Sequence, residues 1–263
     1  MNFEGEFRGK AVVVTGACGL YGRRIAAAFA AEGARVCLTD ADGDGLATVA
    51  AAMDLPDGSF THRADLTSDA DLAGLIAAVG AAFGAADILV NNAGVYPSGF
   101  LLDIDIAEWD RIFDINLRAP FVLSTGMAKQ MIAKGAKGSI LNISSGASRK
   151  MRQTVVPYCT SKTALDRLTK GLALELAAFG IRVNAVEPGF AQGGTASPLP
   201  PDHIARMRAS IPLGRETETG DLEGALLYLA SGAAAYVTGT TLTVDGGNSI
   251  GSLEVHQAKK QPL

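Results

Sequence analysis

The sequence predicts a doubly wound α/β domain, a parallel sheet with helices on both faces. Three observations carry this. Short β-branched runs without polar alternation recur along the chain, separated by longer Ala- and Leu-rich stretches. That is the pattern of strands buried on both faces and joined by crossover helices. The first run leads into a cluster of glycines, then a helical stretch, then a second strand ending on an acid. The 263 residues, 48% hydrophobic and 19% charged, suffice for one large core and exclude a disordered chain.

In chain order, residues 11–14 form the first strand, and Gly16, Gly19 and Gly22 break it. Residues 23–32 read as a helix stopped by Gly33, and residues 35–39 as a second buried strand ending at Asp40. Strand, glycine turn, helix, strand and acid within one short unit is the mononucleotide-binding order. A pyrophosphate rests on free N–H groups at a helix start, where side chains in the turn would block it. A carboxylate at position 40 suits ribose hydroxyls and repels a 2′-phosphate, so NAD is expected rather than NADP. Asp42 and Asp44 add negative charge nearby, while Arg23 and Arg24 read as helix surface.

Further on, 58–63 is a short third strand, 69–84 a helix and 87–90 a fourth strand running into Asn91-Asn92-Ala93-Gly94. Residues 106–134 read as one long helix interrupted at Pro120, with Asn116 inside it. A fifth strand, 138–143, leads to Ser144-Ser145, and a basic loop follows at 149–153. That loop is either a solvated surface run or an attractor of an anionic or polyhydroxylated substrate. Residues 157–179 form a long helix, 181–186 a sixth strand, and Pro188-Gly189 opens a loop that becomes Gly/Pro-rich over 192–201, as a mobile lid would be. Short helices at 202–210 and 221–231 precede a last strand, 241–244. One domain is expected over 1–251. The polar tail, 252–263, is either a disordered end or an extended segment reaching a partner subunit.

Tyr158 and Lys162 stand four apart, hence on one face of the long helix. A phenol has a reference pKa of about 10, and a neighbouring ammonium is expected to lower it towards useful proton transfer with an alcohol oxygen. Ser145 lies thirteen residues upstream.

These motifs stand in order: Thr15-Gly16-Ala17-Cys18-Gly19-Leu20-Tyr21-Gly22, Asn91-Asn92-Ala93-Gly94, Asn116, Ser145, Tyr158-x-x-x-Lys162, Pro188-Gly189 and Asp245-Gly246-Gly247. The set resembles the short-chain dehydrogenase/reductase family of the classical type, over about residues 8–250. The resemblance implies a Rossmann-type seven-stranded sheet in the order 3-2-1-4-5-6-7. It implies an NAD-dependent oxidoreductase interconverting a secondary alcohol and a ketone, with a lean to a polyol or sugar-like substrate. A 3-oxoacyl reductase or hydroxysteroid-type reductase is the alternative. In that reading Tyr158 is the base, Lys162 and the positive nicotinamide lower its pKa, Ser145 binds the substrate oxygen, and Asn116 anchors a water or serves the fold alone. The cofactor is expected at Gly16, Gly19, Leu20, Tyr21, Asp40, Asp65, Leu66, Asn92, Ala93, Gly94, Tyr158, Lys162, Pro188, Gly189 and Ala191. Asp65 either faces the adenine or belongs to an ordinary helix start with Thr67 and Ser68. The substrate pocket is expected at Tyr96, Ser145, Ala147, Gln153, Tyr158 and Phe190.

Two features depart from the family pattern. Gly19 stands where the usual glycine would be at Leu20, a spacing resembling the extended relatives that include epimerases. Position 193 is glycine where a nicotinamide-contacting threonine is usual, so either the loop is longer and Thr195 substitutes, or that bond is absent. An epimerase or dehydratase, or a silent NAD-binding protein, therefore stands as the reading of another class.

A net charge of −4 and pI near 5.4 argue against nucleic acid as a partner. Cys18, Cys37 and Cys159 are scattered, without disulfide or metal spacing. With no leader-like start and no apolar run long enough to span a membrane, a cytoplasmic protein is expected, with no metal. Relatives pair through the helices holding Asn116 and Tyr158. Leu165, Leu168, Leu172 and Leu176 are apolar positions beyond one narrow stripe, so a homotetramer is expected.

Overall fold

Seven parallel strands lie in the order β3-β2-β1-β4-β5-β6-β7. The computed structural model describes residues 3–193, 200–251 and 253. The expectations for Thr195 and for the tail beyond residue 251, the exposed Leu253 aside, fall outside them. The strands are β1 (Ala11–Thr15), β2 (Arg35–Asp40), β3 (Phe60–Arg63), β4 (Ile88–Asn91), β5 (Ser139–Ile143), β6 (Arg182–Pro188) and β7 (Thr241–Val244). Between them run α1 (Leu20–Ala31), α2 (Gly43–Ala51), α3 (Asp69–Phe83), α4 (Ile106–Phe113), α5 (Ala119–Ala133), α6 (Val156–Leu176), α7 (Pro201–Ala209) and α8 (Asp221–Ala230).

Alternation along the strands divides the core into two layers. Val12 and Val14 face one layer with Ile25 and Phe29 of α1, Leu46 of α2 and Leu226 of α8. Val13 faces the other with Leu75 of α3, Leu123 and Met127 of α5 and Leu172 of α6. β1 is buried at every position, as its unbroken apolar run requires.

Three sequence expectations need correction. Helix α2 was not foreseen. It is short and Gly-rich, and its start depends on Asp42, whose side chain accepts from the Gly45 N–H at 2.9 Å. The long helix at 106–134 does not break at Pro120. Proline needs no N–H bond in the first turn, and Pro120 sits there in α5. The break is a π-helical turn at Asp114–Arg118, centred on Asn116. Nor do Leu165 and Leu172 supply a spare apolar face, because both are buried in the chain's own core, with Leu168 and Leu176 packed against it. The exposed apolar side chains of α5 and α6 are instead Phe121, Ile132 and Leu174, followed by Phe179.

The second layer contains a polar tie. Asn91 Nδ2 at the end of β4 donates to Asn142 Oδ1 of β5 at 2.8 Å and to Ser124 Oγ of α5 at 3.1 Å. Asn142 Nδ2 donates in turn to Thr169 Oγ1 of α6 at 2.8 Å. All four residues are buried. The tie fixes α6 relative to the ends of β4 and β5, which carry the site.

Asn142→Ala removes one of the two acceptors of the Asn91 amide and the donor to Thr169. We expect a loss of roughly 1–3 kcal/mol of unfolding free energy in a urea titration, from two buried hydrogen bonds. A loss under about 0.5 kcal/mol would show that the tie does not hold the helix.

Candidate active site

The glycine turn between β1 and α1 is packed to the limit on two sides and open on the third. Gly16 has φ +66, and a Cβ on it would lie 2.7 Å from Ala93 Cα. A Cβ on Gly22 would meet the Gly16 carbonyl oxygen at 2.0 Å. Gly22 therefore lies inside α1 and lets the helix sit on the turn; it does not end the turn, as the sequence suggested. Gly19 is different: its added Cβ would meet only Gly16 O, at 3.3 Å, and the remaining space belongs to the cavity. No side chain caps α1 at Gly19, and no acid stands in the first turn. Free N–H groups at the positive end of a helix, beside a gap that a Cβ would fill, fit a pyrophosphate.

Asp40 stands at the end of β2 on the cavity wall. Its Oδ2 accepts from Cys18 N at 2.9 Å and its Oδ1 from Asp42 N at 3.2 Å, so it also fixes the turn. Arg23 is not free helix surface: its Nε donates to Cys18 O at 2.8 Å. Asp65 joins two roles the sequence left open. Its Oδ1 accepts from Thr67 N and Oγ1 at 2.9 and 2.8 Å, yet the residue lines the cavity. Ser68 is the cap of α3. These bonds hold the Asp65 carboxyl below its usual range. Tyr21 donates to Gly189 O at 2.9 Å, joining the glycine turn to the loop after β6.

One cavity of about 920 Å³ runs from Asp40 to Tyr158, across the ends of the strands. Leu20, Leu66, Asn92, Ala93 and Gly94 line its middle, and Lys162, Pro188, Gly189 and Ala191 its far side. Tyr96, Ser145, Gln153 and Phe190 stand with Tyr158 at the other end. Ala147 does not reach it. The chain after Ser145 enters a 3-10 turn, Gly146–Ser148, that buries Ala147 against Val155 and Cys159 beneath Tyr158.

The Tyr158 ring meets Tyr96 edge-on, with centroids 4.5 Å apart. Burial pushes its phenol up to about 12, against the pull of the Ser145 hydroxyl and the Arg152 charge. The lowering expected from Lys162 together with a nicotinamide is not among these causes. The Lys162 ammonium lies 5.8 Å from the ring centroid and donates to Ile143 O at 2.7 Å. Burial pushes this amine down to about 8, partly offset by Asp166.

Asn116 lies behind the cavity wall. Its Oδ1 accepts from Val95 N at 2.9 Å, while its Nδ2 donates to Val95 O at 3.0 Å and to Ser161 Oγ at 3.1 Å. The amide thus clamps the strand β4 exit to α6. A Cβ added to Gly94 would lie 3.4 Å from both Asn116 Oδ1 and Lys162 Nζ, so this glycine lets the two groups share one small space.

The basic loop divides. Arg149 pairs with the buried Glu187 of β6 and bonds Ser249 Oγ at 2.9 Å. Glu187 also accepts from Ser148 Oγ at 2.9 Å and Thr243 Oγ1 at 2.8 Å. Lys150 and Arg152, by contrast, line the cavity mouth with His203 and Met207 of α7. Sequence reading missed His203, Met207, Asn248 and Ser249, because nothing local marks residues that only the fold brings to one rim. Thr154, also on the rim, holds a left-handed φ of 69, and its carbonyl accepts from Gly99 N at 2.8 Å. That bond ties the loop after β4 to the loop after β5.

A family model described as enoyl-(acyl carrier protein) reductase matches residues 18–249. Galactitol 2-dehydrogenase of Agrobacterium fabrum is 35% identical over 250 residues, 91% of this chain and 97% of its own. Sorbitol dehydrogenase of Cereibacter sphaeroides is 33% identical over 251 residues, again 91% of this chain and 97% of its own. The crystal structure of a short-chain type dehydrogenase/reductase from Mycobacterium marinum superposes with a TM-score of 0.86 at 34% identity, covering 94% of this chain and 98% of that one. Likeness of this extent, over nearly the whole of each partner, places the chain in the short-chain dehydrogenase/reductase family, among the NAD(P)-dependent oxidoreductases that interconvert alcohols and ketones.

Proposed function

We propose that the protein is an NAD-dependent dehydrogenase of a polyol or sugar-like secondary alcohol, with Tyr158 as the proton-transferring group. The observation that carries this is a single cavity with Asp40 at one end and Tyr158, Ser145 and Lys162 at the other. Lys150, Arg152, Gln153 and Thr154 bring polar groups to the Tyr158 end of a largely apolar wall, and the two relatives described above act on galactitol and sorbitol by name.

Hydride transfer at the carbinol carbon is the chemistry that a nicotinamide dinucleotide supplies when bound. The chain's own residues handle the oxygen. Tyr158 takes the hydroxyl proton during oxidation and returns it during reduction. Ser145 donates to the substrate oxygen where charge gathers. Lys162, fixed on Ile143 O, presents its remaining N–H donors towards the ribose position beside Gly94. Asn116 keeps that space open by holding Val95 and Ser161 in place. The carboxylates of Asp40 and Asp42 favour a free ribose hydroxyl over a phosphate, against the nearby cations Arg23, which bonds Cys18 O, and Arg63, beside Asp40 in the sheet register.

The exposed Phe121, Ile132, Leu174 and Phe179 support a homotetramer built through α5 and α6. Light scattering at micromolar concentration should report four chains; a monomer would contradict it.

Tyr158→Phe deletes the proton carrier and leaves the volume nearly unchanged. Turnover should fall by roughly 10²–10⁴ with NADH binding retained. A variant within threefold of the parent would remove Tyr158 from the mechanism. For cofactor choice, kcat/KM with NAD and NADP should be compared in Asp40→Ala. The NAD preference should relax, because the ribose acceptor and the repulsion disappear together. A parent enzyme that already prefers NADP would shift the weight from Asp40 to Arg23.

A further inference from the structure

We propose that the substrate of this cavity carries an anionic group, a carboxylate or phosphate on its hydroxylated chain, and that Arg152 is the residue that selects it. This deepens the secondary-alcohol reading and rests on it.

The two ends of the cavity differ in charge. Asp40 and Asp65 mark the end below β2 and β3, whereas Lys150, Arg152 and His203 mark the mouth around Tyr158. The lining carboxylate near the mouth, Asp245, turns inward on its own loop, accepting from Gly247 N at 2.9 Å. Arg149 is consumed by Glu187. Among the described residues, Lys150 and Arg152 have no acidic partner.

A solvated arginine is ordinary, but Arg152 differs from one in two ways. Its charge acts on the buried phenol of Tyr158, so its field enters the reaction end of the cavity. Its loop is also fixed at both ends. The Arg149–Glu187 pair holds one end to β6. The other is held by Val155, buried beneath Tyr158, and by the Gly99 N to Thr154 O bond. Arg152 O closes this arch by accepting from Val155 N at 3.4 Å. A guanidinium carried on this fixed arch at the cavity mouth, with Lys150 and His203 on the same lining, presents a planar fork that matches a carboxylate or phosphate. A neutral polyol would leave the fork without a charged partner.

The test compares neutral polyols with the matching aldonates and phosphate monoesters, using the full-length enzyme, NAD and the variants Arg152→Gln and Arg152→Lys. The parent should favour one anionic series by at least tenfold in kcat/KM. Preference for aldonates assigns the carboxylate, and preference for the esters assigns the phosphate. Arg152→Gln should raise KM for the favoured series by about 10–100-fold, the scale of losing one bidentate charged contact, whereas a change in kcat through the Tyr158 phenol should fall equally on neutral and anionic alcohols. Arg152→Lys should recover part of the loss, since charge remains and the fork does not. Equal losses on neutral and anionic alcohols would make Arg152 structural and overturn the proposal. So would a parent that oxidises both series alike, which leaves the alcohol dehydrogenase reading intact. A parent that oxidises no member of the panel overturns both.

Discussion

The ends of β1 and β4 meet at the point where the strand order reverses, and the site depends on how closely they approach. Thr15 Oγ1 accepts from Asn92 N and Ala93 N, both at 3.0 Å. Asn92 Nδ2 returns bonds to Thr15 O at 2.8 Å and Gly16 O at 3.1 Å. Two chain segments, each with unpaired backbone groups beyond its strand, satisfy one another across the switch point. Gly16 has no room for a Cβ because of this contact. The turn that holds the helix start open, and the Ala93-Gly94 segment that admits Lys162, are two sides of one interaction.

From that junction the structure sets a division of labour. At the Asp40 end, backbone N–H groups of the glycine turn and a carboxylate meet at the cavity wall. At the Tyr158 end, burial dominates. It raises the phenol and lowers the Lys162 amine, so both groups hold a proton less or more firmly than they would in water. The Ser145 hydroxyl and the Arg152 charge pull the Tyr158 phenol the other way.

Much of this was legible in the sequence, for identifiable reasons. The central strands, buried on both faces, leave unbroken apolar runs, and all seven strands, the partly exposed edges β3 and β7 included, lie near the places read from the sequence. That Tyr158, Lys162 and Ser145 face one cavity was legible because helical spacing and strand exit fix their relation locally. What sequence hid were features set by partners far away. Helix α2 has weak intrinsic character and relies on the Asp42 cap. Proline at position 120 suggested a break, but the helix tolerates it in a first turn and breaks at Asn116 instead. Arg149 and Arg152 look alike in one basic run, and only Glu187, on another strand, separates their roles. Ala147 faced the wrong way because a 3-10 turn intervenes.

The claim at the centre of this account is that one cavity holds the dinucleotide and the alcohol together, with hydride passing directly between them. The measurement that tests it most directly uses a secondary alcohol deuterated at the carbinol carbon. The enzyme would be incubated with this alcohol and NAD, and the reduced cofactor analysed by mass spectrometry. Direct transfer predicts one deuterium in each NADH formed. NADH without deuterium, or product formed with no net NADH, would contradict the account and favour chemistry of another class on the same fold.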